Sequence, residues 1–360
     1  MRLSLTAESA NSLALLEAGT DFGRDFVKFR HTLPLSPMSG HDREGPFLLS
    51  IFKPGGKSGA RAGVAFAEGA FSLALVRRDA DAKPTIEYCG THAVGNDVGP
   101  ALKTLLEKHR ATRAATCAVI DGDEYQIVQV EAPEVLPSEM RAAIRWKLRD
   151  AIHFNVDEAA VDIFETPEPV RRTQNKMLFA VAARDSAIQR LSSTLKPVAR
   201  GFNAIDIPEL CLRNLSALLP QDTKGVAMLA VNDKFAQLVI TRQGTMYLTR
   251  RIDTTRNGFN PNNTQRGEQP IDAASLALEL QRSLDYYESH YDQTPIGDLV
   301  IAPATDKVQR LAVDLKNETS LRITVLDARE LFNVYKPGEL VTDWQCLMAL
   351  GAALRTDDGS

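Results

Sequence analysis

The chain has 360 residues, beyond the length at which one hydrophobic core usually stops growing, so two lobes are expected. Hydrophobic residues make up 44% and charged residues 24%, which excludes a disordered or fibrous class. The net charge is −4, and Lys and Arg are scattered among Asp and Glu without a basic stripe, which argues against nucleic acid as a partner. There is no run of 18 or more apolar residues, so no ordinary transmembrane helix is expected. Cys89, Cys117, Cys211 and Cys346 lie far apart with no CxxC pair, which fits buried thiols in a reducing, cytoplasmic setting better than a disulfide framework or a zinc site.

Residues 1–58 mix Ser, Gly, Pro and charges without a sustained period and read as a flexible N-terminal extension. A true translation start at Met38 is one expectation for this region. From residue 59 to 206 the pattern is that of a first α/β lobe. It opens with β-rich runs at 62–66, 71–77 and 85–89, then a helix at 98–108 and strands at 115–120 and 125–130. An inserted subdomain around 132–184 follows. It holds an amphipathic helix over 137–152, with Met140, Ile144, Leu148 and Ile152 four apart and Ser138 as N-cap, and strands at 160–165 and 177–183. A helix over 185–196 and a strand at 202–206 complete the lobe.

The second lobe is expected over 207–355, with 356–360 as a tail. After a helix at 208–218, three strands at 226–231, 235–241 and 246–252 repeat the opening of the first lobe, with turns at Asn232-Asp233 and Gln243-Gly244. A polar stretch at 253–270 reads as a mobile loop. The strongest helix, 272–291, draws Leu276, Leu280, Leu284, Tyr287 and Tyr291 onto one face, with Asp272 as its cap. A strand at 299–302, a helix near 307–316, a strand at 322–326 and a helix over 344–354 close the chain.

Three segments carry a family resemblance. Ala143-Ile-Arg-Trp-Lys-Leu-Arg-Asp-Ala-Ile-His-Phe-Asn-Val-Asp-Glu-Ala-Ala-Val-Asp162 resembles the stretch of PilM-type pilus proteins in which a helix ends in an apolar turn before an acidic approach to a strand. Leu278 to Glu288 is similar to the long helix of that family, and Leu347 to Arg355 to its C-terminal helix. In order and spacing the three, spanning roughly Phe52 to Arg355, look most like the MshI-type branch that serves mannose-sensitive haemagglutinin (MSHA) pili. The resemblance implies an actin-like (ribonuclease H-like) duplicated α/β fold, two lobes each with a mixed β-sheet flanked by helices. It also implies a cytoplasmic scaffold in type IV pilus assembly, peripheral to the inner membrane, which binds the tail of a PilN/MshJ-like inner-membrane protein in a groove of the first lobe. Other pilus assembly proteins are further partners, and a homodimer is possible. Arg145, Trp146 and Phe154 are the candidate partner-binding residues.

Nucleotide-binding members of that superfamily carry an Asp-x-Gly hairpin in each lobe, the carboxylate on the Mg²⁺ side and small residues where backbone N–H groups approach phosphate. Here the first hairpin reads Ala67-Glu68-Gly69 and the second Asn232-Asp233 without glycine, while Pro303-Ala-Thr-Asp306 replaces the adenosine-side Gly-Gly turn. A vestigial nucleotide site at Ala67, Glu68, Gly69, Asn232, Asp233 and Pro303 is therefore expected, with no catalytic residues, no metal and no cofactor. The alternative is an active ATPase or sugar kinase holding ATP and Mg²⁺ on Glu68 and Asp233; another is the cytoplasmic L-type component of type II secretion. Gly56-Lys57-Ser58 lacks a P-loop's first glycine, since Ile51 stands there, and reads as linker. His153, at the end of an apolar helix, reads as a packed or capping residue.

Overall fold

Two short-strand meanders fold into two sheets of the same plan. The computed structural model describes residues 59–78, 83–95, 98–120, 122–136, 138–167, 176–254, 272–334 and 343–356. The extension at 1–58, the Met38 start, most of the loop at 253–270 and the tail beyond 356 lie outside the described residues.

The first sheet begins with the meander β1 (Arg61–Ala67), β2 (Ala70–Arg77) and β3 (Thr85–Ala93). After helix α1 (Val98–Lys108), strands β4 (Thr116–Val119) and β8 (Phe202–Asp206) add in parallel beside β1. The second sheet repeats this with β9 (Val226–Val231), β10 (Phe235–Arg242) and β11 (Thr245–Asp253), then β12 (Asp298–Ala302) and β13 (Arg322–Val325) in parallel. The orders β3-β2-β1-β4-β8 and β11-β10-β9-β12-β13 are the same topology, and each meander carries a register irregularity between its second and third strands, at Leu75/Val76 and at Ile240/Thr241. The first sheet gains a two-residue edge strand, β14 (Asn333–Val334), parallel to β3. This mixed α/β plan, two sheets of one topology with helices against them, is the duplicated architecture that the repeat foreshadows.

Between β4 and β8 the chain builds a separate three-stranded sheet, β5-β7-β6, from β5 (Tyr125–Glu131), β6 (Ala159–Glu165) and β7 (Met177–Arg184). Helix α2 (Met140–Leu148) covers one face and buries Ile144 and Leu148 against Val130, Leu178 and Ala180. Its N-cap is Glu139 rather than the expected Ser138, and no side chain caps it. The helix also stops at Leu148 rather than Ile152. Arg149 and Ala151 donate to carbonyls three residues back, which tightens the last turn and lets Ile152 keep its place in the small core.

Helices α3 (Asp185–Leu195), α4 (Pro208–Ser216), α5 (Ala273–Tyr291), α6 (Asp306–Glu318) and the short α7 (Ala328–Leu331) fill the flanks. Asp272 caps α5 as expected, accepting from Ala274 N at 3.2 Å. The last helix, α8 (Trp344–Ala353), departs from the expected division at residue 207. Although late in the sequence, it packs on β1 and β2 of the first sheet and against α4, and every residue from Cys346 onward in it is buried. A helix apolar all round must be covered on all sides. Small residues make this possible: a Cβ on Gly63 would stand 1.9 Å from the Ala349 carbonyl oxygen, and one on Gly351 2.4 Å from that of Cys211. Just past the helix, Arg355 forms a buried ion pair with Asp206 at the end of β8, 3.1 Å apart.

Candidate functional site

Two clefts concentrate the polar and apolar groups that packing leaves available. The first, of about 650 Å³, lies between the three-stranded insert and the second lobe. Its walls are edge strands: β5 closes one side of its sheet and β11 one side of the other. Ile127, Phe154, Phe179 and Leu248 give it an apolar lining, and Gln126, Arg184, Thr249 and Arg250 add polar groups. Gln129 reaches across towards the Tyr291 hydroxyl at 3.4 Å, and that hydroxyl donates to the Tyr247 carbonyl. Pockets of this volume with a few convergent polar groups are the usual form of a ligand site.

A buried pair, Tyr125 and Glu209, lies at this cleft, the phenol donating to the carboxyl at 2.7 Å. Burial pushes the Glu209 carboxyl up from its ordinary range, against the hydrogen bond from Tyr125 that pulls it down. Burial, with the neighbouring Glu209, pushes the Tyr125 phenol well up.

The expected partner-binding residues separate. Phe154 lines the cleft, its ring 4.4 Å under the Arg184 guanidinium. Trp146 does not line it and is 71% exposed on α2, with Arg149 over its ring at 4.8 Å. The guanidinium of Arg145 is used internally, donating to the carbonyls of Val156 and Ala159 at 2.7 Å each, which fastens the turn into β6. Nor is the cleft contained in the first lobe, as expected; β11 and Tyr286 of the second lobe form its far wall. His153 donates its backbone N–H to the Gln126 side chain at 2.6 Å and so ties the end of the α2 turn to β5.

The second cleft, of about 440 Å³, lies between the tips of the two meanders. Ala67, Glu68, Asn232, Asp233 and Pro303 all line it, so the fold brings these expected residues together from three distant segments. Gly69 sits at the first hairpin tip with φ +66°, where glycine is needed for the turn. Asn232 serves its own turn, its side-chain oxygen accepting from Lys234 N and Phe235 N at 2.8 Å each. Asp233 is almost fully exposed and pairs with Lys307 at 3.3 Å. Sequence reasoning missed the groups that fill the cleft. Arg251 stacks on Phe235 at 3.8 Å and donates to the Gly122 carbonyl at 3.0 Å and to Asp123 at 3.2 Å, while Trp344 meets Phe235 edge-on at 5.4 Å. These residues come from the first lobe, β10, β11 and α8, and no local motif announces such a set.

Fold and clefts together define an actin-like α/β protein. No family model matches the chain, and no curated protein matches it in sequence. Among solved structures it is similar to a "PilM-PilN type IV pilus biogenesis complex", with TM-score 0.60 and 18% identity over 83% of this chain and 98% of that one. It is also similar to a protein of actin-like ATPase fold and unknown function from Bacteroides thetaiotaomicron VPI-5482, with TM-score 0.44 and 8% identity over 77% and 93% of the two chains. A third is the cytoplasmic domain of EpsL, an inner-membrane component of the type II secretion system of Vibrio cholerae, with TM-score 0.42 and 12% identity over 72% and 96%. Among the described residues no helix is long and apolar enough to cross a membrane, and no group of three or more His, Cys, Asp or Glu is placed to hold a metal ion.

Proposed function

We propose that this chain is a non-enzymatic scaffold of type IV pilus assembly that binds the cytoplasmic tail of a PilN-like inner-membrane protein in the cleft between β5 and β11. The observation that carries the reading is that cleft: about 650 Å³, with Ile127, Phe154, Phe179 and Leu248 as apolar anchors. Two strands at the edges of their sheets flank it, and an edge strand is the place where an extended peptide can add. Likeness to a PilM-PilN complex supports it on the side of fold. Anchoring a few side chains in a preformed groove, against the ordering of the peptide, yields affinities near micromolar. Membrane attachment is then indirect, from the cytoplasmic face, and the resemblance of the three segments to MshI-type proteins favours an MSHA-type pilus with an MshJ-like partner.

The nucleotide cleft is inactive in this reading. Phe235, Arg251 and Trp344 line the space a nucleotide would need, and Asp233 is engaged by Lys307. A second reading, an active ATPase, draws on the shared placement of Glu68 and Asp233. Thermal unfolding separates the two, since a ligand that binds only the folded chain raises its melting temperature. A dozen-residue peptide copying the N-terminal tail of the PilN-like protein should raise it, and ATP with Mg²⁺ should not. A rise with ATP·Mg²⁺ alone would overturn the scaffold reading in favour of the ATPase.

A further inference from the structure

Contacts between the lobes cross the cleft between β5 and β11 at two places. Before the start of β5, Gly122 and Asp123 accept from Arg251 of β11; further along, Gln129 reaches the Tyr291 hydroxyl, which donates to the Tyr247 carbonyl of β11. Along the β5 side the two contacts run from 123 to 129 and along β11 from 251 to 247, so the strands face each other in opposite directions. That span suits an extended segment of roughly four to six residues.

Arg184, which ends β7, stands at the first of these places. Its backbone N–H donates to the Glu124 carbonyl at 2.9 Å, and its guanidinium lies 4.4 Å from the centre of the Phe154 ring. Arg184 is exposed and lines the cleft, and among the described residues its guanidinium enters no hydrogen bond or ion pair. The charges around it are already engaged: Glu124 by Arg190 at 2.5 Å, Asp123 by Arg251 at 3.2 Å, and Arg250 by Glu279 at 3.2 Å. The Glu209 carboxyl accepts from the Tyr125 hydroxyl. A guanidinium that rests on a ring by its face keeps its N–H groups available in the plane of the fork, the geometry that grips a carboxylate with two bonds.

We infer that Arg184 selects an acidic tail: the extended segment between β5 and β11 carries an Asp or Glu side chain that the Arg184 fork grips at the Asp123 end of the cleft. The inference rests on the tail-binding reading of this cleft and adds the chemistry of the tail. Register supplies the rest of the pattern. Tyr125 pairs with Ala183 and Gln129 with Phe179, so Arg184 lies before the level of Tyr125, while Ile127 and Phe179 lie further along the same wall. Alternation along an extended chain then sets apolar side chains two and four positions from the acid over Ile127, Phe179 and Leu248. Phe154 serves as wall and as the plate that holds the guanidinium in place.

Fluorescence anisotropy on the full-length protein compares two labelled peptides. One copies the first dozen residues of the PilN-like protein; the other carries Asn for each Asp and Gln for each Glu. A charged hydrogen-bonded pair at an open site is worth about tenfold in affinity, so the amide peptide should bind the wild type roughly tenfold more weakly. High salt should narrow that difference. Arg184→Gln should lose the same factor on the acidic peptide, bind the amide peptide within about twofold of the wild type, and so treat the two alike. Arg184→Lys, which keeps the charge without the fork, should fall between. Equal binding of the two peptides by the wild type, or a tail without an acidic residue, would overturn the inference and leave the tail reading standing. Equal loss of both peptides in Arg184→Gln would also overturn it, since Arg184 would then act only by supporting Phe154. If neither peptide binds, the tail reading fails and the acidic selection with it. The comparison on the wild type decides the matter even where a variant does not fold.

Discussion

Replacing Gly63 by alanine tests the placement of α8 most sharply. The added methyl carbon would stand 1.9 Å from the Ala349 oxygen, 2.7 Å from Ala353 N and 2.9 Å from the Ala349 carbonyl carbon. All three are backbone atoms of one helix turn, so no side chain can swing aside and β1 must part from α8. Overpacking of this kind costs about 1–3 kcal/mol and more where the backbone has to move, so a loss of at least ~3 kcal/mol is expected. At roughly 2–4 °C per kcal/mol, the melting temperature should fall by about 6–12 °C. Gly99 in α1 is the control, because nothing lies within 4 Å of its would-be Cβ. There alanine favours the helix and should be neutral or stabilising by about 0.5–1 kcal/mol. Thermal melts followed by far-UV circular dichroism read both. If Gly63→Ala melts within about 2 °C of the wild type, α8 does not press on β1 as described.

Arg355→Met leaves the Asp206 carboxylate buried and unpaired and should cost about 3–5 kcal/mol in urea unfolding, whereas Asp206→Leu combined with Arg355→Met should recover most of the loss. Glu209 has a folded pKa raised by burial above its unfolded value, so its contribution to stability is full below about pH 4.3 and is lost as pH rises through the folded pKa. Glu209→Gln, still able to accept from Tyr125, should therefore gain on the wild type in melting temperature as pH rises above that point; a difference constant from pH 4 to 8 would contradict this. Phe235→Ala together with Arg251→Ala removes the stacked pair from the interlobe cleft and should increase limited proteolysis between the lobes without changing the secondary structure.

Much of the framework was legible in the sequence because each strand carries its own pattern. The six residues of β9 are all buried, and its apolar run was visible as such. The repeat of two meanders was equally local, down to the turn at Gln243-Gly244, both residues of which adopt positive φ. Asp272 was readable as a cap because its side chain bonds two and three residues ahead. What escaped depends on contacts between remote segments. The C-terminal helix reads as part of the second lobe by order, yet Gly63 and Cys211 draw it under the first sheet. Two residues of β14 carry no period at all, and their partners Thr85 and Ile86 lie nearly the whole folded chain away. The resemblance offered Trp146 and Phe154 together as partner-binding residues, but only Phe154 lines the cleft, while Trp146 is exposed on α2. The hairpin acids Glu68 and Asp233 do share a cleft, since duplication puts both meander tips at the same height, whereas Arg251 and Trp344 reach it by tertiary packing alone.

We propose that the cleft between β5 and β11 holds the tail of a PilN-like membrane protein. Fluorescence anisotropy with a labelled dozen-residue tail peptide, titrated with wild-type protein, Phe154→Ala and Trp146→Ala, with and without ATP and Mg²⁺, tests it directly. Saturable binding should appear in the wild type and be indifferent to nucleotide. Loss of an anchoring aromatic worth about 2 kcal/mol should weaken it roughly 30-fold in Phe154→Ala, while Trp146→Ala stays within about twofold. Equal affinity in Phe154→Ala and the wild type would place the tail elsewhere, and no binding under any condition would contradict the scaffold function itself.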